Sequence, residues 1–328
     1  MNVRVSLGNL ADRHDMNAAT KAQLQIHFCV LLWGFTAILG KLISLPALPL
    51  VWWRMFLVVV VLAFVPRVWR MLRTMSLPLC SAYAGIGVLV ALHWLTFYGA
   101  IKLANASVAA TCIALATAFT ALVEPSLARG RFSRRDLALG IAVLPGVALV
   151  SGGVPASMRL GIVVGALSAL LVAIFGSLNK RLVNHGEPLT VTALELGAGA
   201  LALTLLAPLM PFVFPPFAGD VLAVPDQRDL LLLLTLALAC TLLPFALSLV
   251  ALRHMSAFAA QLAINLEPVY AIVLAIVLLG EQRELTPLFY LGVVIILGAV
   301  LVHPLLIRPR RVEHAEILGT AEAKQLID

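Results

Sequence analysis

Ala100-Ile-Lys-Leu-Ala-Asn-Ala106 and Ala251-Leu-Arg-His-Met-Ser-Ala257 are two similar stretches that lie about half a chain apart, each between long apolar runs. Two glycines in each half keep nearly the same spacing: Gly140 and Gly146 match Gly292 and Gly298. The chain therefore contains an internal repeat, and each copy is predicted to fold as the same kind of unit.

The composition indicates a protein that is surrounded by lipid. The chain has 328 residues, of which 62% are hydrophobic and only 12% are charged. Soluble domains carry about 25% charged residues, so this chain has too few polar groups to cover a surface in water. The net charge is +7, but the basic residues form short clusters between apolar runs. This pattern is typical of membrane topology signals and does not indicate a nucleic-acid surface.

The apolar runs predict an all-α integral membrane protein with ten transmembrane helices. A helix needs about 20 residues to cross about 30 Å of hydrocarbon. Runs of this kind occur ten times, at 24–44, 48–66, 78–100, 107–128, 136–152, 159–179, 189–210, 229–251, 257–279 and 286–306. If the N-terminus is cytoplasmic, most of the 23 Lys and Arg residues then fall on the cytoplasmic side, as the positive-inside rule requires.

The repeat and the number of spans together predict the organisation of the chain. A cytoplasmic tail (1–23) precedes a first five-helix repeat (24–152), a second five-helix repeat (159–306) and a cytoplasmic C-terminal tail (307–328). Because five is odd, the second repeat must insert upside down relative to the first. Two inverted five-helix repeats are typical of secondary transporters, in which the repeats move against each other around a site near the middle of the bilayer.

Further motifs accompany the repeated stretches in the order seen in a known family. Trp33-Gly34 is followed by Lys41, and the second half contains Leu266-Glu-Pro-Val269 and then Leu279-Gly-Glu281. Together with the repeated stretches, these motifs resemble the EamA module of the drug/metabolite transporter superfamily over about residues 24–306. The resemblance implies a transporter, not an enzyme, that needs no cofactor and carries amino acids, metabolites or drugs, often outward. It also implies the plasma membrane of a bacterium, the inner membrane.

The two copies differ where the family motif is polar. The first copy has Ala116-Thr117 where the second has Glu267-Pro268, and Arg129-Gly130 where the second has Gly280-Glu281. The two halves are therefore expected to contribute unequally to a binding site.

Glu267 is the most prominent candidate for binding or coupling. Ionisable groups at the centre of a span cost about 2.5–3.5 kcal/mol on insertion scales, so they are candidates for function. Glu267 lies near the middle of the ninth predicted span, and Pro268 beside it is predicted to act as a hinge, because proline interrupts helix hydrogen bonding. The structural alternative is a buried glutamate that holds helices together.

Other residues inside the spans are weaker candidates for substrate binding or coupling. For Arg54 and Lys41 the alternative is anchoring at the membrane interface, and for His93 it is a satisfied buried group. Glu124, near the cytoplasmic end of the fourth span, is predicted to form a gate or an interface salt bridge. The remaining candidates, with helix packing as their alternative, are Glu195, Trp33, Tyr98, Asn265 and Tyr270.

A secondary transporter of a small molecule, working by alternating access, is the function that these patterns favour. The alternatives are a polytopic membrane enzyme acting on a lipid-linked substrate, and a channel or scaffold. The sequence has no His-Glu-x-x-His, Gly-x-Ser-x-Gly or Cys-x-x-Cys motif, so no metal or catalytic site is predicted. The expected partners are the substrate and the lipid bilayer. Proton coupling and a homodimer stay open.

Overall fold

The computed structural model describes residues 3–128, 132–264 and 266–306, and the regular elements in these ranges are all helical. The first half of the chain forms α1 (Val3–Leu42), α2 (Ala47–Ala63), α3 (Pro66–Thr74), α4 (Leu77–Leu103), α5 (Ala106–Ile113), α6 (Leu115–Leu127) and α7 (Arg134–Gly152). Much of the tail predicted at 1–23 is therefore helical and continuous with the first span.

The second half contains a matching set of helices. They are α8 (Arg159–Leu182), α9 (Pro188–Leu206), α10 (Met210–Val213), α11 (Gln227–Ala237), α12 (Leu243–Ala251), α13 (Ala257–Ile264), α14 (Glu267–Leu274) and α15 (Pro287–Leu306). A π turn at Leu238–Leu242 joins α11 to α12, and a second at Ala275–Leu279 follows α14. Short 3₁₀ turns occur at Ala156–Met158, Pro215–Phe217 and Glu281–Arg283.

Every predicted span coincides with a helix, but the helices differ in their ability to cross a membrane. Six runs are long and apolar enough: Thr20–Leu42, Leu77–Leu103, Ala106–Leu127, Ala156–Leu182, Pro188–Leu206 and Gln227–Ala251. A seventh is added if α2 and α3, which are bent by 92°, count as one. Three more apolar helices are shorter: Gly140–Val150, Glu267–Leu279 and Pro287–Ala299. The all-helical, multi-pass architecture is confirmed, and the number ten stays a prediction.

The two repeats run in opposite directions. Near the start of α4, the Tyr83 hydroxyl donates to the carbonyl of Leu182 at the end of α8. Near the other end of α4, Lys102 donates to the carbonyl of Ile43, just after α1. The first helix of each repeat therefore ends at an opposite end of α4. We call these the Val183 end and the Ser44 end, after the residues that lie beside them.

The packed bundles do not coincide with the repeats. In the first bundle α4 packs on α8 and α9, and α8 also packs on α5 and α6. In the second bundle α1 packs on α12, α13 and α14. Helix α2 packs on α11 of this bundle and, more extensively, on α9 of the first, so it lies between the two. Helices α7 and α15 pack on each other. Each bundle thus takes helices from both halves of the chain.

The repeated stretches perform the same structural tasks in both halves. Asn105 caps the start of α5 by accepting from the Val108 amide at 2.9 Å, and Ser256 caps α13 by accepting from the Ala259 amide at 2.9 Å. Lys102 binds the carbonyl of Ile43, and Arg253 binds the carbonyl of Val183, so each occupies the C-terminus of its own repeat's first helix. The basic residue of each stretch thus links two segments that are distant in sequence, and the polar residue caps the helix that follows.

Candidate functional site

A cavity lies between the two bundles and receives residues from helices of both. The space inside it is about 110 Å³, which is below the usual range of small-molecule sites. The polar and aromatic residues of its wall include Trp33, Thr36, Arg54, His93, Trp94, Asn179, Phe245, Ser248 and Glu267. Four predicted candidates, Trp33, Arg54, His93 and Glu267, are thus brought to one space.

Arg54 projects from α2 into this cavity and is held from several directions. Its Nη1 donates to the Tyr98 hydroxyl at 2.8 Å, its Nε donates to Thr241, and its Nη2 lies 3.4 Å from the carbonyl oxygen of Cys240. The guanidinium carbon is 3.8 Å from the ring centroid of Trp94, a cation–π geometry. The side chain is only 2% exposed, so Arg54 is not an interface anchor.

The π turn at Leu238–Leu242 provides part of this support. In a π turn one residue is added to the helical repeat, and such turns occur often at functional sites. Here it places the Thr241 hydroxyl and the Cys240 carbonyl side by side toward Arg54. The Thr241 hydroxyl also donates to the carbonyl of Leu236. A fixed guanidinium is thus presented to the cavity, and no acidic side chain of the described residues lies at salt-bridge distance from it.

Glu267 faces the same cavity from α14. Its side chain is 7% exposed, and it does not form an ion pair with Arg54 at 4.0 Å or less. A buried carboxylate and a buried guanidinium therefore share one enclosed space without neutralising each other by direct contact. Because isolated charges are expensive away from water, this arrangement favours a ligand, or a proton, that compensates them.

The helix that carries Glu267 is broken, and so is its counterpart in the first half. Both helices are interrupted by turns in which an amide bonds to the carbonyl three residues earlier. In the first half Ala114 bonds to Thr111 and Thr117 bonds to Ala114. In the second half Leu266 bonds to Ala263 and Val269 bonds to Leu266. The first break has no proline. Pro268 follows the second break and lies in the first turn of α14, where a missing N–H is tolerated. The break therefore does not require Pro268.

His93 lies in the cavity wall with its ring fixed from behind. Its Nδ1 is 2.9 Å from the Ser168 carbonyl oxygen and 2.8 Å from the Ser168 hydroxyl. Because the carbonyl can only accept, Nδ1 carries the proton in this arrangement. The ring also packs against Phe175, at 5.4 Å between centroids. At Nδ1 the contacts match the structural alternative, a buried histidine whose hydrogen bonds are satisfied.

Glu195 lies behind the cavity, not in its wall. It is fully buried on α9, and Oε2 accepts from Nδ2 of Asn179 at 3.3 Å. The other oxygens of the pair, Oε1 of Glu195 and Oδ1 of Asn179, are buried without a partner among the described residues. Asn179 itself lines the cavity, so it separates this second buried carboxylate from the cavity.

A chain of spaces leads from the cavity toward the Val183 end. Asn179 and Leu249 border both the cavity and a small void, and Gly186 and Pro188 border both that void and a wide groove. The groove is open to the surface, and its wall includes Arg67 and Arg253. The cavity, the void and the groove are thus neighbouring spaces with shared wall residues, and the void between the other two, at about 10 Å³, has room for about one water molecule.

Two carboxylates cap helices across the bundles, one at each end. At the Val183 end, Glu124 of α6 accepts from the amides of Ala257 and Phe258 at 3.0 and 2.8 Å. At the Ser44 end, Glu281 accepts from the amides of Ala106 and Ser107, both at 3.0 Å. The sequence predicted a gate or a salt bridge for Glu124, and the structure gives it a helix start as partner. Nothing in the sequence identified Glu281 beyond its family motif.

The remaining predicted residues do not reach the cavity wall. Lys41 is exposed at the end of α1, and Tyr270 is 38% exposed beside Gly34. Tyr98 is buried and supports Arg54 from behind. Asn265 lies outside the described residues.

Several wall residues had no signal in the sequence. Thr36, Phe175, Phe245 and Ser248 are ordinary residues of apolar helices, and only the packing turns them toward the cavity. A polar residue within an apolar run, such as Ser248, was the one signal that could have been used.

A multi-pass helical protein with two antiparallel halves around a mainly apolar cavity that holds a few buried polar groups has the architecture of a membrane transporter. The profile of the EamA-like transporter family matches residues 20–152 and again residues 159–303. The chain belongs to this family, and both repeats are confirmed as copies of its module. The family places the chain among the membrane transporters of the drug/metabolite superfamily.

Solved structures support the fold. A crystal structure described only as that of a protein superimposes with a TM-score of 0.61 over 87% of this chain and 98% of its own, at 17% identity. At that identity the likeness concerns the fold alone. A search of curated protein sequences gives no match.

Proposed function

We propose that this chain is a secondary transporter that moves a small metabolite, amino acid or drug-like compound across the membrane by alternating access, in the outward direction. The observation that carries the proposal is the pair of Arg54 and Glu267. Both are buried, both face one cavity between two bundles, and neither neutralises the other at salt-bridge distance.

The cavity chemistry favours a substrate with both charges and an apolar part. Arg54 offers a guanidinium that is fixed by Tyr98 and Thr241, which suits a carboxylate. Glu267 offers an acceptor for an ammonium group, or a site for a proton that is exchanged with the substrate. The rings of Trp33, Trp94 and Phe245 provide an apolar wall between and around them. A zwitterion with an apolar side chain meets all three features.

The orientation of the chain is part of the same proposal. The clusters of basic residues favour cytoplasmic termini and a bacterial inner membrane. The Val183 end then faces the cytoplasm, and the groove beside Arg67 and Arg253 is where the substrate enters. Entry from this groove past Asn179 and Leu249 is the route that the shared walls favour.

The proposal is tested first by transport in proteoliposomes. The purified protein is reconstituted with a panel of unlabelled zwitterionic, anionic and cationic metabolites inside, and the exchange of labelled amino acids with apolar side chains is measured. Proteoliposomes that contain the Glu267→Ala variant are the matched control. Exchange above this variant for at least one zwitterion is the expected result.

A comparison of metabolites inside and outside cells with and without the protein gives an independent test. A difference in one class of zwitterion, in the outward direction, is expected. If neither exchange nor any metabolite difference is found over many classes, the transporter proposal is wrong, and a membrane enzyme acting on a lipid-linked substrate becomes the better reading.

A further inference from the structure

Two carboxylates bridge the same pair of broken helices at opposite ends. Glu124 lies near the end of α6 in the first bundle and binds the start of α13 in the second. Glu281 follows α14 in the second bundle and binds the start of α5 in the first. Each carboxylate uses its two oxygens for two consecutive backbone amides. The bridges are thus the same contact made twice, with the roles of the two bundles exchanged.

This exchange of roles between the bundles does not follow from the alignment of the two sequence copies. The second copy has no glutamate at the position that corresponds to Glu124, and the first copy has Gly130 at the position that corresponds to Glu281. The amides that they bind do correspond, because Ala106 and Ala257 both follow the N-capping residues Asn105 and Ser256. Two different sequence positions therefore provide the same charge at equivalent helix starts, which indicates a requirement for a carboxylate at each end.

The bridges cross the boundary that alternating access has to open. In both cases the carboxylate and the amides that it binds belong to different bundles, and Ala257 is also part of the cavity wall. An amide at the first turn of a helix has no partner within its helix, so separating the bundles leaves these donors, and the charge, without a partner. Each bridge therefore stabilises the closed form of its own end only.

The two bridges differ in their access to water. Glu281 is 2% exposed, and Ser107 adds a hydroxyl donor to it at 2.6 Å. Glu124 is half-buried at the end where the chain of spaces approaches the surface. Glu281 is thus the more deeply buried of the two carboxylates.

We propose that Glu124 and Glu281 are alternating latches: each holds one end of the central cavity closed by capping a helix of the opposite bundle, and each is released only when its own end opens. They are positioning residues and do not touch the substrate. The assignment rests on the alternating-access function proposed above.

The latches are tested by the side from which the cavity can be reached. In a background without the four native cysteines, Ser248→Cys places one thiol in the cavity wall. A membrane-impermeant maleimide is applied to each face of oriented proteoliposomes. Glu124→Gln keeps the size, removes the charge and leaves one of the two amides without an acceptor. It is expected to raise labelling from the Val183 end about tenfold relative to the other face. Glu281→Gln is expected to raise it from the Ser44 end.

The opposite sign of the two effects is the diagnostic feature. The double variant should return the labelling ratio close to that of the parent, because both ends are weakened together. Asp226→Asn is the matched control, since Asp226 caps its own helix by accepting from the Asp229 amide at 2.7 Å and bridges no bundles. It should leave the ratio unchanged.

Two results overturn the latch assignment: labelling that changes equally from both faces in the single variants, and labelling that does not change at all. If the labelling ratio recovers in the double variant, the shifts in the single variants are not caused by loss of folding. Transport by the parent protein is measured in parallel. A parent that exchanges substrate while the variants show no opposite shift contradicts the latches alone, and a parent that exchanges nothing contradicts the proposed function.

Discussion

The broken helix of the first half, α5–α6, and that of the second half, α13–α14, have the same backbone arrangement but different side chains after the break. Both begin at a polar cap, both have their first amides bound by a glutamate of the opposite bundle, and both are interrupted by a three-residue turn. Beyond the break the first continues with Leu115, Ala116 and Thr117, and the second with Glu267. The comparison teaches that the repeat accounts for the shared backbone, and that divergence between its copies places a carboxyl group directly beyond the break in only one of them.

Removing the charge that distinguishes the two helices should have the largest effect. Glu267→Gln is expected to lower exchange at least about tenfold, because losing one partner of a buried charge arrangement costs about 2 kcal/mol or more. The protein should still be recovered from the membrane in a single folded form, since no described hydrogen bond of the fold depends on Glu267. Exchange kinetics are measured across pH, and kinetics like those of the unmodified protein at every pH would refute a role for Glu267.

Arg54 tests the other charge of the cavity. Arg54→Lys keeps the charge, but lysine cannot stack on Trp94 and at the same time donate to both Tyr98 and Thr241. The apparent KM for a substrate with a carboxylate is expected to rise about tenfold, with a smaller change in the maximal rate. Tyr98→Phe is the matched control, because it removes one support and leaves the guanidinium in place. An equal loss in both variants would mean that Arg54 acts only through packing.

Much of this comparison was accessible from the sequence, and the reason is physical. A charged residue in the middle of an apolar run is costly in lipid, so Glu267 and Arg54 could be singled out as candidates from the sequence, although interface anchoring stayed open for Arg54 until its burial was seen. The repeat could be recognised because caps at helix ends need particular residue types at fixed spacing, as at Asn105 and Ser256.

The direction of each side chain could not be predicted in the same way. Successive residues of a helix point about 100° apart, so an error of one or two residues in placement moves a side chain from the cavity to the lipid. Tyr270 is exposed although it lies three residues after Glu267, on nearly the same side of the helix, so spacing alone does not predict its exposure. Lys41 lies beyond the apolar part of α1. The bundles that mix the repeats, and the contacts of Glu124 and Glu281 across them, depend on packing between distant segments.

The two N-caps offer a graded test of the shared backbone. Asn105→Ala and Ser256→Ala should each lower the free energy of unfolding by about 1 kcal/mol, the usual value of such a cap. The loss should be larger for Asn105, whose Nδ2 also donates to Glu284 at 3.2 Å. Thermal unfolding of the purified variants in detergent measures the difference. Equal losses would mean that the bond to Glu284 contributes nothing measurable.

Pro268 provides the smallest expected effect and the sharpest comparison of the two breaks. The first helix is interrupted at Ala114 without a proline, and Pro268 lies in the first turn of α14, where its missing amide is no loss. Pro268→Ala is therefore expected to change exchange by less than about twofold. Pro145→Ala, within the continuous helix α7, is a control for replacing an intramembrane proline. A tenfold loss of exchange in Pro268→Ala alone would restore the hinge predicted from the sequence, and would mean that the second break moves in a way that the first does not.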